Sequence, residues 1–346
     1  MLRSFALLAV SALALSACTD QAASGGGGAR DQIRVVGSST VYPFTQLVAE
    51  QFVNNNPGMK APVIESTGTG GGMKLFCAGV GAQHPDIVNA SRRLKASEYA
   101  DCKANGAADV LEIQVGIDGI AFAEAKNGPR ITLTTGDIYK ALAANPGGKP
   151  NATKTWKDVN PALPAIPIQV YGPPSTSGTR DALAELILAK GCKETDPQAK
   201  ALDSDAFDKR CKAVREDGAY VDAGENDNLI VQKLQANPNA IGIFGYSYLE
   251  ENTNKLEGAP IDGVAPTYDT IAGGSYPGAR PLYIYVKKAH LDAIPGLRQF
   301  LAEYATAWTK DGPLVKRGLI AAPDSVLAHS AEVIKNATPL DPSELH

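Results

Sequence analysis

The sequence is short of histidine, of aromatic residues and of net charge. Of its 346 residues only four are His, and one of these is the last residue. Metal chemistry and Ser-His-Asp chemistry therefore start with little material. No H-E-x-x-H and no G-x-S-x-G occurs, and His84, His290, His329 and His346 all lie outside the Gly- and hydroxyl-rich loops. Aromatic residues make up 6% of the chain. The formal net charge of −4 excludes a generally basic protein that coats nucleic acid, although not a small basic pocket. No convincing internal repeat is present, and no linker separates two consecutive domains. Glycine and proline are plentiful instead. With 34 Gly and 23 Pro, roughly one residue in six, the chain lies above the average of about 12%. It stays well below the roughly 25–30% of disordered low-complexity chains. It reads as globular, rich in turns, and too long for one ordinary core, so two lobes are expected.

The first thirty residues are not fold. Arg3 supplies a positive start, and Phe5 to Leu15 is an apolar run of small and aliphatic residues. The run is shorter than the about 20 residues of a spanning helix, and residues 1–17 read as an export signal. Leu15-Ser16-Ala17-Cys18 resembles the lipobox of bacterial lipoproteins, which implies cleavage before Cys18 and its lipidation. The competing reading is an ordinary secretory signal with an incidental Cys. Residues 18–30, with Gly25 to Gly28, form a flexible tether.

Export places the chain in an oxidising compartment. With Cys18 accounted for, Cys77, Cys102, Cys192 and Cys211 form an even set with three possible connectivities. Cys77–Cys102 and Cys192–Cys211 are favoured, because each closes a local loop worth about 3 kcal/mol in the chain-entropy model. The alternative is four buried thiols.

Strand-like runs alternate with helical patterns. Strands are expected at 33–37, 62–65, 86–90, 110–123, 166–171, 240–244 and 282–287. Helices are expected at 43–54, from 71 to 78, at 135–143, 179–189, 226–236 and 297–309. The alternation argues an α/β architecture with largely parallel sheets. Chain crossovers near 115–122 and 280–287 would connect the lobes.

Several strand-to-helix turns are rich in groups that hold anions. The first is Gly37-Ser38-Ser39-Thr40-Val41-Tyr42-Pro43-Phe44, where a strand ends at Gly and Pro43 fits a first helical turn. The second is Ser66-Thr67-Gly68-Thr69-Gly70-Gly71-Gly72-Met73-Lys74. It is neither a P-loop, since Met73 precedes Lys74, nor G-x-G-x-x-G, whose third Gly falls on Met73. The third is Pro174-Ser175-Thr176-Ser177-Gly178-Thr179-Arg180-Asp181. Between the second and third, Asn89-Ala90-Ser91-Arg92-Arg93 closes the strand 86–90. A helix start offers unpaired N–H groups and the positive end of the dipole, and Arg grips an oxyanion with parallel N–H bonds. Capping by Ser or Thr, a tight Gly turn and a surface ion pair at Arg92 are the ordinary readings of the same residues.

Taken together, these motifs resemble the phosphate-binding subunit of the bacterial high-affinity phosphate ABC transporter, a periplasmic substrate-binding protein family. The resemblance also covers Asp118-Gly119-Ile120-Ala121 and runs from about Arg34 to the C-terminal region. It implies an α/β, two-lobed periplasmic-binding-protein fold of type II with two hinge crossovers. Lobe one would be 31–116 and 286–346, and lobe two 117–285. It implies a phosphate site at Thr40, Val41, Thr69, Gly70, Ser91, Arg92, Asp118, Ser177, Gly178, Thr179 and Arg180. Two positions depart from the family. Many members carry Asp, which accepts a proton from phosphate, where this chain has Arg92. Members often carry Arg where this chain has Pro173, while Arg180 follows the Thr. Asp118 is the candidate replacement acceptor, or else a hinge carboxylate paired to Arg92. Asp222, Glu225 and Asn226 are second candidates.

The implied function is a lipid-anchored receptor, periplasmic or on the cell surface, that passes inorganic phosphate to an ABC permease. It would be monomeric, without cofactor, metal or nucleic acid, and not an enzyme. Arg92 in place of Asp keeps open another oxyanion such as sulfate, molybdate or a phosphonate. A phosphoester hydrolase on this scaffold, or an adhesion or sensory role, are further alternatives.

Overall fold

The computed structural model of the protein describes residues 30–175, 177–224 and 227–345. The signal 1–17, Cys18, most of the tether and the candidates Glu225 and Asn226 lie outside them.

The first half alternates strand and helix. It runs β1 (Arg34–Gly37), α1 (Tyr42–Asn55), β2 (Val63–Ser66), α2 (Gly68–Phe76), β3 (Ile87–Ala90) and α3 (Ala96–Ala104). A long strand β4 (Val110–Ala125) follows, then α4 (Thr135–Leu142), α5 (Trp156–Val159) and β5 (Val170–Gly172). Beyond β5 the chain is helical through α6 (Gly178–Ala182), a π-helical stretch (Leu183–Leu188) and α7 (Ala189–Thr195). Strands β6 (Tyr220–Asp222), β7 (Ile241–Gly245), β8 (Leu256–Gly258) and β9 (Ala279–Lys287) complete the sheet. Strand order is β2-β1-β3-β9-β4-β7-β5-β6, with β8 also on β4. Among the described residues no helix is long and apolar enough to cross a membrane.

The sheet is mixed rather than largely parallel. β1 pairs in parallel with β2 and β3, and β5 with β6 and β7. The crossover strands are antiparallel to their neighbours. β4 pairs β9 from Val110 to Gly119, then β7 and β8 from Ile120 to Ala125. One strand thus serves both halves of the sheet, as the expected crossovers require. A third segment crosses there, since Ile117 and Ile320 exchange backbone hydrogen bonds of 2.8 and 3.0 Å. β5 is shorter than the expected 166–171, because Pro167 has no N–H for a ladder and bridges Thr155 instead.

The Gly-rich segment is helix rather than turn. Gly68 takes φ +70° and the chain is helical from there, three residues before the expected start. Glycine is required on both sides of the contact it makes. A Cβ on Gly72 would lie 2.5 Å from Gly37 Cα, and one on Gly37 would strike the Asn89 carbonyl at 2.2 Å. The start of α2 is therefore pressed onto the ends of β1 and β3.

Two disulfides pair as favoured, Cys77–Cys102 across 25 positions and Cys192–Cys211 across 19. The first sits in a small core with Phe76, Val110 and Tyr285, beside the main core. Lys287, at the end of β9, is buried there with its ammonium 4.8 Å from the Phe76 ring centroid. Its Nζ makes no hydrogen bond among the described residues. The nearby Asp86 is taken by Arg30, by the Arg34 N–H and by His290. Burial pushes the Lys287 ammonium down to about 8, against the pull of Asp86. The ordinary value is about 10.4, so the folded state binds this proton less well than the unfolded one. This group therefore costs stability below pH 8 and ceases to do so as pH rises toward 10. Replacing Lys287 by Met is expected to raise Tm by a few degrees at pH 7, with the gain closing toward pH 10 in calorimetric scans. A constant difference across that range would show that the amine is not the cause.

Candidate functional site

The anion-rich turns converge where the strands end. Loop one runs from Gly37 into α1, and its Ser38 N–H donates to the Asn89 carbonyl at 2.9 Å. The Thr67 N–H donates to the Gly37 carbonyl, also at 2.9 Å, which ties loop two to loop one. Loop two is in turn joined to the end of β3. The Ser91 N–H donates to Thr69 Oγ1 at 3.1 Å, and the two hydroxyls lie 3.0 Å apart.

Loop three comes from the other half of the sheet and closes on loop one. A Cβ on Gly178 would lie 3.3 Å from Thr40 Cα and 3.6 Å from Thr40 Oγ1. Ser39 Oγ donates to Asp181 at 2.8 Å across the same gap. Ser177 caps α6, accepting from the Thr179 N–H at 3.2 Å. Val41 stands at the N-cap of α1 with no side-chain cap, and its side chain is in the main core. Among the described residues the backbone N–H groups of Thr40, Val41 and Gly178 donate to no backbone carbonyl. Three sets of amide donors and the hydroxyls of Thr40, Thr69 and Ser91 are thus gathered at one end of the sheet, with the first N–H groups of α2 at Gly70.

Arg280 supplies the charge at this place. It is 6% exposed and stands on β9 opposite Asp118 of β4. Its Nε donates to Asp118 at 3.2 Å, its Nη1 to Glu185 at 2.5 Å and its Nη2 to Thr40 Oγ1 at 2.9 Å. Asp118 is held above the usual carboxylate range by burial, which outweighs Arg280, and the Glu185 and Asp181 charges push it the same way. Asp118 is therefore paired to Arg280 and not to Arg92.

The two arginines singled out from sequence are engaged elsewhere. Arg92 forms a two-pronged pair with Glu98 at 2.6 and 2.9 Å, the ordinary ion-pair reading. That pairing raises its already high pKa. Arg93 binds Glu112 and Glu344. The Arg180 guanidinium lies 4.3 Å from the Tyr220 ring centroid and donates to the Pro173 carbonyl at 3.4 Å. Tyr220 donates to the same carbonyl at 2.6 Å, and burial pushes its hydroxyl up to about 12, against Arg180. Arg180 thus braces loop three from below. Asp222 is exposed and accepts from the Gly224 N–H as a turn.

Arg280 and Glu185 were missed by reading the sequence. The signal for Arg280 was a lone Arg between Gly278 and the apolar run 282–287, at the head of an expected crossover strand. Glu185 carries no motif. No group of three or more His, Cys, Asp or Glu with metal-binding geometry occurs among the described residues.

The model of the PBP superfamily domain matches residues 22–307. Protein SphX of Synechococcus elongatus is 34% identical over 292 residues, covering 83% of this chain and 76% of that protein. The phosphate-binding protein PstS of Staphylococcus saprophyticus is 30% identical over 290 residues, covering 81% and 79%. A crystal structure of a possible phosphate binding protein from Planctomyces limnophilus superposes with TM-score 0.72 at 32% identity, covering 88% of this chain and 98% of that one. The ABC-type phosphate transport receptor from Vibrio cholerae shares the fold, with TM-score 0.55 at 21% identity, covering 84% and 99%. The two-lobed architecture is common to these structures, and the chain belongs to the PBP superfamily, among the relatives named SphX and PstS.

Proposed function

We propose that the protein is a phosphate receptor that delivers inorganic phosphate to an ABC permease without changing it covalently. The observation that carries this reading is the meeting of Gly178 with Thr40 beneath Arg280, which brings helix starts from both halves of the sheet to one cation. Amide and hydroxyl donors would come from Thr40, Val41, Thr69, Gly70, Ser91, Ser177, Gly178 and Thr179, and the charge from Arg280. Arg92 and Arg180 would act from behind the site. A relative named a phosphate-binding protein supports the choice of ligand. Helix ends and charge-assisted bonds of this kind hold an oxyanion with a Kd of micromolar or below, roughly −8 kcal/mol or stronger.

The receptor would be anchored through lipid at Cys18, after loss of residues 1–17, and stand off the membrane on residues 18–30. It would act as a monomer in the periplasm or at the cell surface. Lobe one would comprise 31–116 and 286–346, and lobe two 117–285, closing over the ligand about β4 and β9.

Asp118 is assigned as the acceptor of the proton that phosphate keeps at neutral pH and sulfate does not. A carboxylate there repels a fully ionised oxyanion, because an unpaired buried charge costs several kcal/mol. The test is calorimetry on protein unfolded and refolded to strip retained ligand. The wild type should bind phosphate and reject sulfate. Asp118→Asn should weaken phosphate at least tenfold and narrow the gap to sulfate. Equal wild-type binding of both anions would assign another oxyanion, and no binding of either would sink the site.

A further inference from the structure

We propose that Glu185 is a tethered carboxylate that occupies Arg280 in place of the anion, so that ligand enters by exchange with it. The proposal rests on the phosphate-site reading above. Three side chains share the Arg280 guanidinium, and they differ in how far they can withdraw. Asp118 has little room to leave, since its side chain is 17% exposed and the β4–β9 ladder sets it opposite Arg280. Thr40 is buried in loop one and is itself a candidate donor to the ligand. Glu185 is different. Its side chain is 49% exposed and lies on the π-helical stretch that follows loop three, 95 positions away from Arg280. Half exposed as it is, its carboxylate makes the shortest of the Arg280 contacts.

Charge decides which group moves. Asp118 and Glu185 already share a single guanidinium, and Asp181, one helical turn before Glu185, is near enough to push the Asp118 carboxyl up. An oxyanion brought to the same cation, which is 6% exposed, adds a further negative charge beside them, and like charges repel more strongly there than in bulk water. The exposed and flexible Glu185 can swing into solvent at little cost, and its leaving frees an Arg280 N–H for the anion. Asp181 remains on Ser39 and keeps the two loops together. A competing internal carboxylate lowers apparent affinity by the fraction of molecules in which it is displaced.

Glu185→Gln keeps the shape of the side chain at an exposed position and removes its charge. In calorimetry and stopped-flow mixing with inorganic phosphate, this variant should bind three- to tenfold more tightly, with a faster association rate. The gain should vanish when Arg280→Gln is combined with it, which separates exchange at Arg280 from a general loss of negative charge. An unchanged or weaker affinity in Glu185→Gln, or a gain that persists in the double variant, overturns the exchange while leaving a phosphate-binding wild type intact. A refolded wild type that takes no phosphate overturns the site reading itself.

Discussion

Arg280→Gln is expected to raise the Kd for phosphate at least a hundredfold. The guanidinium is buried, has five N–H groups and spends three contacts on Asp118, Glu185 and Thr40. Two donors remain, one of them on the Nη2 that binds Thr40 of loop one. A charge-assisted hydrogen bond is worth about 1.5–3 kcal/mol, and the full charge of the guanidinium adds to it. Removing it also strands Asp118. That carboxyl already sits above its usual range, and without Arg280 it would take up a proton and cease to accept one from the ligand. Both losses act in the same direction. Arg280→Lys keeps a point charge and loses the planar fork, so its affinity should fall between those of the wild type and the Gln variant. Calorimetry on refolded protein measures all three, with thermal unfolding as the check that each variant folds. An Arg280→Gln affinity within threefold of wild type would remove Arg280 from the site.

Gly72→Val should cost about 3 kcal/mol or more of stability and weaken anion binding with it. The new Cβ would sit 2.5 Å from Gly37 Cα and 3.0 Å from both Gly37 N and Val88 Cγ2. The nearest obstacle is backbone at the end of a buried strand, which cannot rotate away, so α2 must lift off the sheet. Lifting it moves Thr69 away from Ser91 and turns the first N–H groups of α2 out of the site. Gly71→Ala is the control. Its Cβ would meet only the Thr67 side chain, Cβ at 3.7 Å and Oγ1 at 4.0 Å, ordinary contacts, and Ala is the better helix former by roughly 0.5–1 kcal/mol. Denaturant unfolding should therefore separate neighbouring glycines in opposite directions. Equal effects at Gly71 and Gly72 would mean that the backbone contact with Gly37 does not set the position of α2.

These two expectations differ in how much of them the sequence foreshadows. Gly37, Gly68 to Gly72 and Ser177-Gly178 are legible as strand-to-helix turns, because turn chemistry is local and is written in neighbouring residues. The same holds for the helix at Pro43 and for the two short disulfide loops. The Gly-rich run looked like a turn leading into a helix, and it is helix throughout. Its contact is with Gly37, thirty-odd positions earlier, and no neighbour in sequence announces that.

Charge pairing was the least legible feature. Arg92 and Arg180 stand inside the motifs and so drew attention, yet Glu98 satisfies the first and Tyr220 with Pro173 engages the second. Arg280 stands outside every motif. Its partners lie 240, 162 and 95 positions away, at Thr40, Asp118 and Glu185.

By itself the sequence determined the alternation of strand and helix, the glycine and hydroxyl turns that prepare helix starts for an anion, and the even set of cysteines. Each follows from backbone sterics and spacing within a few tens of residues. Only the tertiary structure decided which cation those turns surround. The antiparallel ladder between β4 and β9 sets Asp118 opposite Arg280, and the closure of Gly178 on Thr40 brings the third loop to the same guanidinium. An arginine's long reach lets it serve any carboxylate that the fold places within a few ångströms. Its role is therefore fixed by register and packing, not by the residues beside it in the chain.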